Sequence, residues 1–480
     1  MTGIDEKLFE ERLTALESAR PWSPRLISKL ENHIRSASDA ELLRINPLRF
    51  ASDKGLAGPE TIDLFLHAAS LGLFEMNWIL ICPVCSCVID SFRALKNLNS
   101  HCHCNNCRAD LVAALDDTIA VTFTVSPAVR RIAYHDPGTL AVDDYAFRYR
   151  MAEEGQIPDG TPFIRIKQKL TRSLAYLDPG ASTTLEVTAE PGALRGSSFD
   201  GDAGFVFIID SALPPAEQRV AIDCELDSCT PNGGTIAPGK VTFELTSRAK
   251  RRLAFGVMQL PPGVAQPPPL HFAPFLSGKQ LLTTQTFRDL FRSEVIRGDE
   301  GLGVKDIALL FTDLKGSTAL YDRIGDLNAF ALVQQHFDRL QDVTVRHNGA
   351  IIKTIGDAVM AAFLNPADAV QAALDMRSEI ASFNQRQPDK ALILKIGVHK
   401  GAAIAVTLNE RLDYFGQTVN IAARVQNLAD ADEIFVSQDV YEAKGVRDEL
   451  AGYSVESRTA QLRGVQQELP VFRVGAAAAA

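Results

Sequence analysis

Apolar positions recur at helical spacing through Glu6–Ala19 and Pro24–Ser36, and again around Ala40–Ala51 and Gly58–Leu71, before the apolar run Leu73–Leu80. This predicts three or four short helices followed by a strand. From about 116 to 275 the pattern changes. Ile119–Val125, Gly204–Ile209 and Lys240–Leu245 are β-branched and aromatic, with Gly, Pro, Asp and Asn turns between them, which predicts a sandwich or barrel. The prolines between Leu260 and Pro269 mark a boundary, and Thr283–Arg297 reads as a connector helix. Beyond it the expected order is strand Asp306–Thr312, helices through His347, hairpin Ala350–Phe363 and helix Pro366–Gln385. Strand Leu392–His399, helix Gln417–Leu428 and strand Glu433–Val436 follow. Helices covering a sheet that contains antiparallel strands make this part α+β, and Ala476–Ala480 is expected to fray.

At 480 residues the chain is too long for one core and should hold two to four domains. The net charge of −10 and the lack of a dense basic run give no support for nucleic-acid or membrane association. Met1–Lys7 lacks the layout of a signal peptide and no stretch reaches transmembrane length, so a cytoplasmic protein is expected.

Six of the eight cysteines fall between residues 82 and 107. Four form the knuckles Cys82-Pro83-Val84-Cys85 and Cys104-Asn105-Asn106-Cys107, whose spacing predicts a tetrahedral Zn²⁺ site closing a ribbon over 79–115. Four protein ligands leave no position for substrate, so this zinc is structural; reduced, metal-free thiols are the alternative. Cys87, Cys102, His101 and His103 lie close enough to replace a ligand, although packing roles are simpler. Helices beside a zinc ribbon suggest a winged-helix-like module and raise DNA binding. Against that, Arg20, Arg25, Lys29 and Arg35 are interleaved with acids, which favours a regulatory or interaction module. His135-Asp136-Pro137 reads as turn chemistry, and Cys224 and Cys229 are too isolated to assign to a metal.

Candidate chemistry concentrates near the C-terminus. Asp313, in Phe311-Thr312-Asp313-Leu314-Lys315-Gly316, and Asp357, in Lys353-Thr354-Ile355-Gly356-Asp357, each close a strand-like run where a turn exposes the carboxylate. Two such hard ligands suit Mg²⁺ carrying a polyphosphate. Asn420 and Arg424 stand four apart in a helix-compatible run and so project from one face. A forked guanidinium beside a neutral amide suits phosphate and sugar oxygens. Alone, each aspartate is most often a turn or helix cap and Asn-x-x-x-Arg a solvated face; it is their joint occurrence that carries meaning.

With Asp413-Tyr414-Phe415-Gly416-Gln417-Thr418-Val419-Asn420 and Arg424 as the third motif, residues 304–474 resemble the class III nucleotidyl cyclase catalytic domain, of ferredoxin-like α+β fold. The resemblance implies an adenylate cyclase whose active sites are shared between the subunits of a head-to-tail homodimer. Asp313, Asp357 and the Leu314 backbone would bind two Mg²⁺ or Mn²⁺. Asn420 would orient the ribose, and Arg424 would stabilise charge on the α-phosphate. Lys353 and Asp413 occupy the base-reading positions, where guanylyl members usually place Glu and Cys, so ATP is expected. Two positions depart from the best-equipped members: Ala402 stands where some carry arginine, and Arg463 where lysine is common, leaving Arg463 as the candidate triphosphate clamp. The resemblance extends to bacterial multidomain cyclases with a zinc ribbon and a β-rich region at 116–275 ahead of a connector at 276–303. An unidentified ligand or protein would act on the part before 276. The competing reading is a nucleotide-sensing or DNA-binding regulator without turnover, with guanylate cyclase a lesser alternative.

Overall fold

The computed structural model describes residues 3–264, 268–386, 392–462 and 468–477; Pro267 of the expected boundary, Arg463 and the last three alanines lie outside them. The chain divides into two units, Met1–Arg93 with His101–Ala113 and Asp117–Leu276, and Ser277–Ala480 with Ala94–Ser100 and Ala114–Asp116.

In the first unit the opening helices are Glu6–Ala19, Pro24–Ser36, Pro47–Lys54 and Gly58–Ser70. The third begins later than its apolar spacing predicts. Asn46 accepts the Leu48 N–H at 3.0 Å as its cap, Pro47 fixes the first turn, and the preceding Ile45 is extended against Phe123. These helices bury Phe9, Leu16, Leu30 and Phe65 completely. Strand Phe74–Ile81 is flanked by Val88–Phe92 and Ile119–Val125 in an antiparallel sheet. The sequence assigned Ile119–Val125 to the mostly-β region; it belongs instead to this sheet, with all seven residues buried and Phe123 against Phe65. A run rich in β-branched and aromatic residues identifies a strand but not its partner.

The mostly-β region is a five-stranded sheet and a four-stranded sheet closed over one core. Phe205 on the former meets Phe243 on the latter at 4.8 Å between ring centroids. Ser182–Ala189 shows the expected alternation, burying Leu185, Val187 and Ala189 and exposing the residues between them. Cys224 and Cys229, isolated in sequence, are cross-strand neighbours with sulfurs 3.4 Å apart.

The second unit is built on an extended sheet whose spatial order is Gly349–Ile355, Ala358–Phe363, Leu302–Leu314, Leu394–Leu408, Ile434–Ser437, Leu469–Ala477 and Tyr453–Ala460. Arg411–Phe415 folds back on Leu394–Leu408. Leu310, Phe363, Val370, Met376 and Val398 share its core, contributed by the central strands and helix Pro366–Arg386. Helix Gln417–Asn427 lies so close to the sheet that a Cβ on Gly397 would sit 2.2 Å from the Gln426 nitrogen. The connector differs from expectation. Only Gly278–Leu282 and Gln285–Leu290 are helical, because Phe291 leaves helical geometry and residues 291–301 are irregular. No helix among the described residues is long and apolar enough to cross a membrane.

Candidate active site

The central strand Leu302–Leu314 delivers Asp313 at its end, directly opposite Lys395 on the neighbouring strand. Their side chains approach to 3.7 Å. Asp357 lies in the tight turn between Gly349–Ile355 and Ala358–Phe363, which Gly356 permits at φ +65°. Thr312 ties the two elements by accepting the Val359 N–H at 3.2 Å. Burial, and the negative charge of Asp357, raise the Asp313 carboxyl above the usual range, against the pull of Lys395. Asp357 Oδ2 is buried and has no hydrogen-bond partner among the described residues. Two carboxylates near enough for one charge to act on the other, one with an unsatisfied oxygen, form a donor set that fits a divalent cation.

A second pair forms between strands. Lys353 Nζ donates to Asp413 Oδ2 at 2.6 Å, while the other carboxylate oxygen takes the Tyr414 N–H at 2.8 Å. Asp413 is nearly enclosed and Lys353 about one-third exposed, so the pair shows its ammonium edge to solvent. Both strands are held from the connector. Gln285 accepts the Ile351 N–H at 2.8 Å, and Arg288 donates to the Leu412 carbonyl at 3.0 Å.

Asn420 and Arg424 fall on helix Gln417–Asn427, the first exposed and the second half-buried. Among the described residues no hydrogen bond or ion pair joins them to Asp313, Asp357, Lys353 or Asp413. Large apolar side chains are exposed on the flanking elements. Ile355 precedes the Asp357 turn, Phe415 precedes the Asn420 helix, and Leu327 and Phe330 open helix Asp326–Arg346.

The structure thus brings together Asp313 with Asp357 and Lys353 with Asp413, and leaves Asn420 and Arg424 on one outward helix. Sequence reading missed Lys395, Gln285 and Arg288. Lys395 left a trace as the one charge in the apolar run Leu392–Val398, but its target is set by cross-strand register. The two connector residues left none.

In the first unit the sulfurs of Cys82, Cys85, Cys104 and Cys107 all lie within 4.8 Å of one another, a group compatible with zinc. Neighbouring candidates have other hydrogen-bond partners, although Cys87 also faces Cys85 and Cys104. Cys87 donates to the Arg150 carbonyl at 3.0 Å, Cys102 to that of Leu111 at 3.6 Å, and His103 lies between Asp110 and Asp202. The basic residues weighed for DNA binding are largely occupied: Arg20 pairs with Asp63, Arg35 with Glu6, Glu10 and Glu31, and Lys29 with the Lys54 carbonyl.

Comparison with known proteins places two family models on the chain. Residues 9–289 match a family of unknown function (DUF5939), and residues 303–469 match the adenylate and guanylate cyclase catalytic domain. Adenylate cyclase 1 of Rhizobium meliloti (strain 1021) is 30% identical over 138 residues, 26% of this chain and 21% of that protein. The pH-sensitive adenylate cyclase MT1302 of Mycobacterium tuberculosis is 30% identical over 173 residues, 36% of this chain and 41% of that protein. The matched segment therefore spans less than half the length of either relative. Among solved structures, the adenylyl cyclase CyaB of P. aeruginosa aligns at 20% identity and a TM-score of 0.34, covering 37% of this chain and 97% of that one.

Proposed function

We propose that this chain, which belongs to the DUF5939 family and carries a class III adenylate/guanylate cyclase catalytic domain, converts ATP to 3′,5′-cyclic AMP and pyrophosphate. The observation that carries this reading is the carboxylate pair, in which the unsatisfied oxygen of Asp357 lies beside an Asp313 of raised pKa. Asp313, Asp357 and the Leu314 carbonyl would hold two Mg²⁺ or Mn²⁺. When bound, these ions lower the pKa of the attacking hydroxyl and neutralise the triphosphate. The ribose 3′-hydroxyl releases its proton to solvent and its oxygen bonds to the α-phosphorus as the bond from that phosphorus to the oxygen bridging to the β-phosphate breaks, the electron pair leaving with pyrophosphate; no covalent enzyme intermediate forms.

Lys353 and Asp413 choose the base. The Lys353 ammonium donates to adenine N1, and Asp413 accepts from the exocyclic amino group; guanine presents the opposite pattern at both places. Asn420 positions the ribose, and Arg424 stabilises charge developing at phosphorus. Arg463, outside the described residues, is the proposed triphosphate cation. The active unit is a homodimer that brings the Asn420/Arg424 helix of one subunit to the aspartates of the other, and the exposed Ile355, Phe415, Leu327 and Phe330 suit such burial. The Cys82, Cys85, Cys104 and Cys107 quartet holds a structural Zn²⁺ in a regulatory first unit. The protein acts in the cytosol, where ATP is made and thiols stay reduced.

Full-length protein given ATP or GTP with Mn²⁺, with product identified by mass, is expected to yield cyclic AMP from ATP at a rate at least tenfold above cyclic GMP from GTP. Predominant cyclic GMP would reverse the base assignment. ATP binding without a cyclic product, together with salt-sensitive binding to duplex DNA, would favour a non-catalytic regulator.

A further inference from the structure

Two cations stand beside the cysteine quartet, Lys167 buried and Arg195 partly so, and neither has a carboxylate partner among the described residues. Lys167, on helix Phe163–Leu170, is only 5% exposed. Its ammonium donates to Asn106 Oδ1 at 3.2 Å, lies 3.7 Å from the Met151 sulfur and sits over the Phe199 ring at 5.7 Å. Arg195 donates to the backbone carbonyl of the same Asn106 at 3.1 Å. Asn106 belongs to the second knuckle, between Cys104 and Cys107, so both cations converge on the segment that carries half of the quartet.

Burying the Lys167 ammonium and partly burying the Arg195 guanidinium without an opposing charge is unfavourable. Four neutral thiols would leave them uncompensated, whereas four thiolates around one Zn²⁺ carry a net negative charge that opposes them. The sulfur spacing agrees. Cys82 to Cys107 and Cys85 to Cys104 are each 3.5 Å, well beyond a disulfide at about 2.05 Å and near the roughly 3.8 Å expected for tetrahedral Zn–S bonds of about 2.3 Å. Cys87 also faces Cys85 and Cys104 and donates its thiol proton to the Arg150 carbonyl.

We propose that Lys167 and Arg195 are the counter-charges of a zinc tetrathiolate, and that they set how firmly the metal is held. The inference rests on the quartet being a zinc site. Outer groups of this kind change metal affinity by about 10–100-fold when removed.

The test uses full-length protein, metal analysis and the rate of zinc transfer to the chromophoric chelator 4-(2-pyridylazo)resorcinol. One zinc per chain is expected, lost in Cys107→Ser. Lys167→Met, which keeps the aliphatic stem but not the charge, should release zinc at least tenfold faster, and Lys167→Arg should restore slow release. Arg195→Met and Arg195→Lys repeat the comparison should Lys167→Met fail to fold. Wild-type protein without zinc would overturn the metal reading and the inference with it. Zinc-loaded, folded charge-neutral variants with wild-type release rates would overturn the counter-charge role alone.

Discussion

Asp357→Asn is expected to lower cyclic nucleotide formation by at least a thousandfold while leaving the fold intact, and Asp313→Asn to do the same. Asp357 already presents a buried oxygen with no partner among the described residues, and an amide there keeps the shape but loses the charge that a divalent cation requires. The loss corresponds to about 4 kcal/mol of transition-state stabilisation. Stability should move the other way. Burial and Asp357 raise the Asp313 pKa, so in metal-free protein the ionised form is disfavoured by folding. Stability from this group is fully present below its ordinary pKa and falls as pH rises through the raised value. At neutral pH Asp313→Asn removes that penalty. Its melting temperature without divalent ions should equal or slightly exceed wild type, the gain being small because Asp313 is about one-third exposed and screened. Saturating Mn²⁺ should stabilise wild type and not the variant. A variant that is inactive only because it unfolds would contradict this account.

The second large effect is on the choice of base. Exchanging Lys353 and Asp413 together for Glu and Cys should move the ratio of kcat/KM for ATP over GTP toward GTP by at least a hundredfold. The two side chains already meet at 2.6 Å, so a single change is worse than a double one. Lys353→Glu alone sets a new carboxylate against Asp413, which is almost enclosed, and Asp413→Cys alone leaves the ammonium without its partner. Each single variant is expected to lose activity on both nucleotides, with the double variant recovering activity on GTP. A folded, active double variant of unchanged preference would remove the base-reading assignment. The strands carrying the pair are also fixed by Gln285 and Arg288, so the connector bears on the same geometry.

Much of this site is legible in the sequence because its chemistry is local. Each aspartate sits where a strand gives way to a turn containing glycine, and Asn420 and Arg424 share a helix face by spacing alone. The cysteine knuckles are legible for the same reason. What escaped is set by contacts distant along the chain. Lys395 faces Asp313 only through strand register, Arg288 reaches a carbonyl 124 residues away, and Lys167 meets Asn106 across 61. Ile119–Val125 reads as a strand but with the wrong neighbours, since a β-branched run carries no mark of which strand it pairs with. The connector, read as one helix, is two short ones, because helical spacing there does not persist through Phe291.

The central claim is that Asp313 and Asp357 act with Asn420 and Arg424 of a second copy on one ATP. The most direct measurement combines two inactive proteins, Asp313→Ala and Arg424→Ala, coexpressed or mixed under conditions that allow subunit exchange, and quantifies cyclic AMP. Random pairing gives about half the dimers mixed, each with one intact site of two, so activity should recover to roughly one quarter of wild type, within the usual geometry of a twofold assembly. Mixtures that stay as inactive as either variant, in demonstrably mixed dimers, would contradict it.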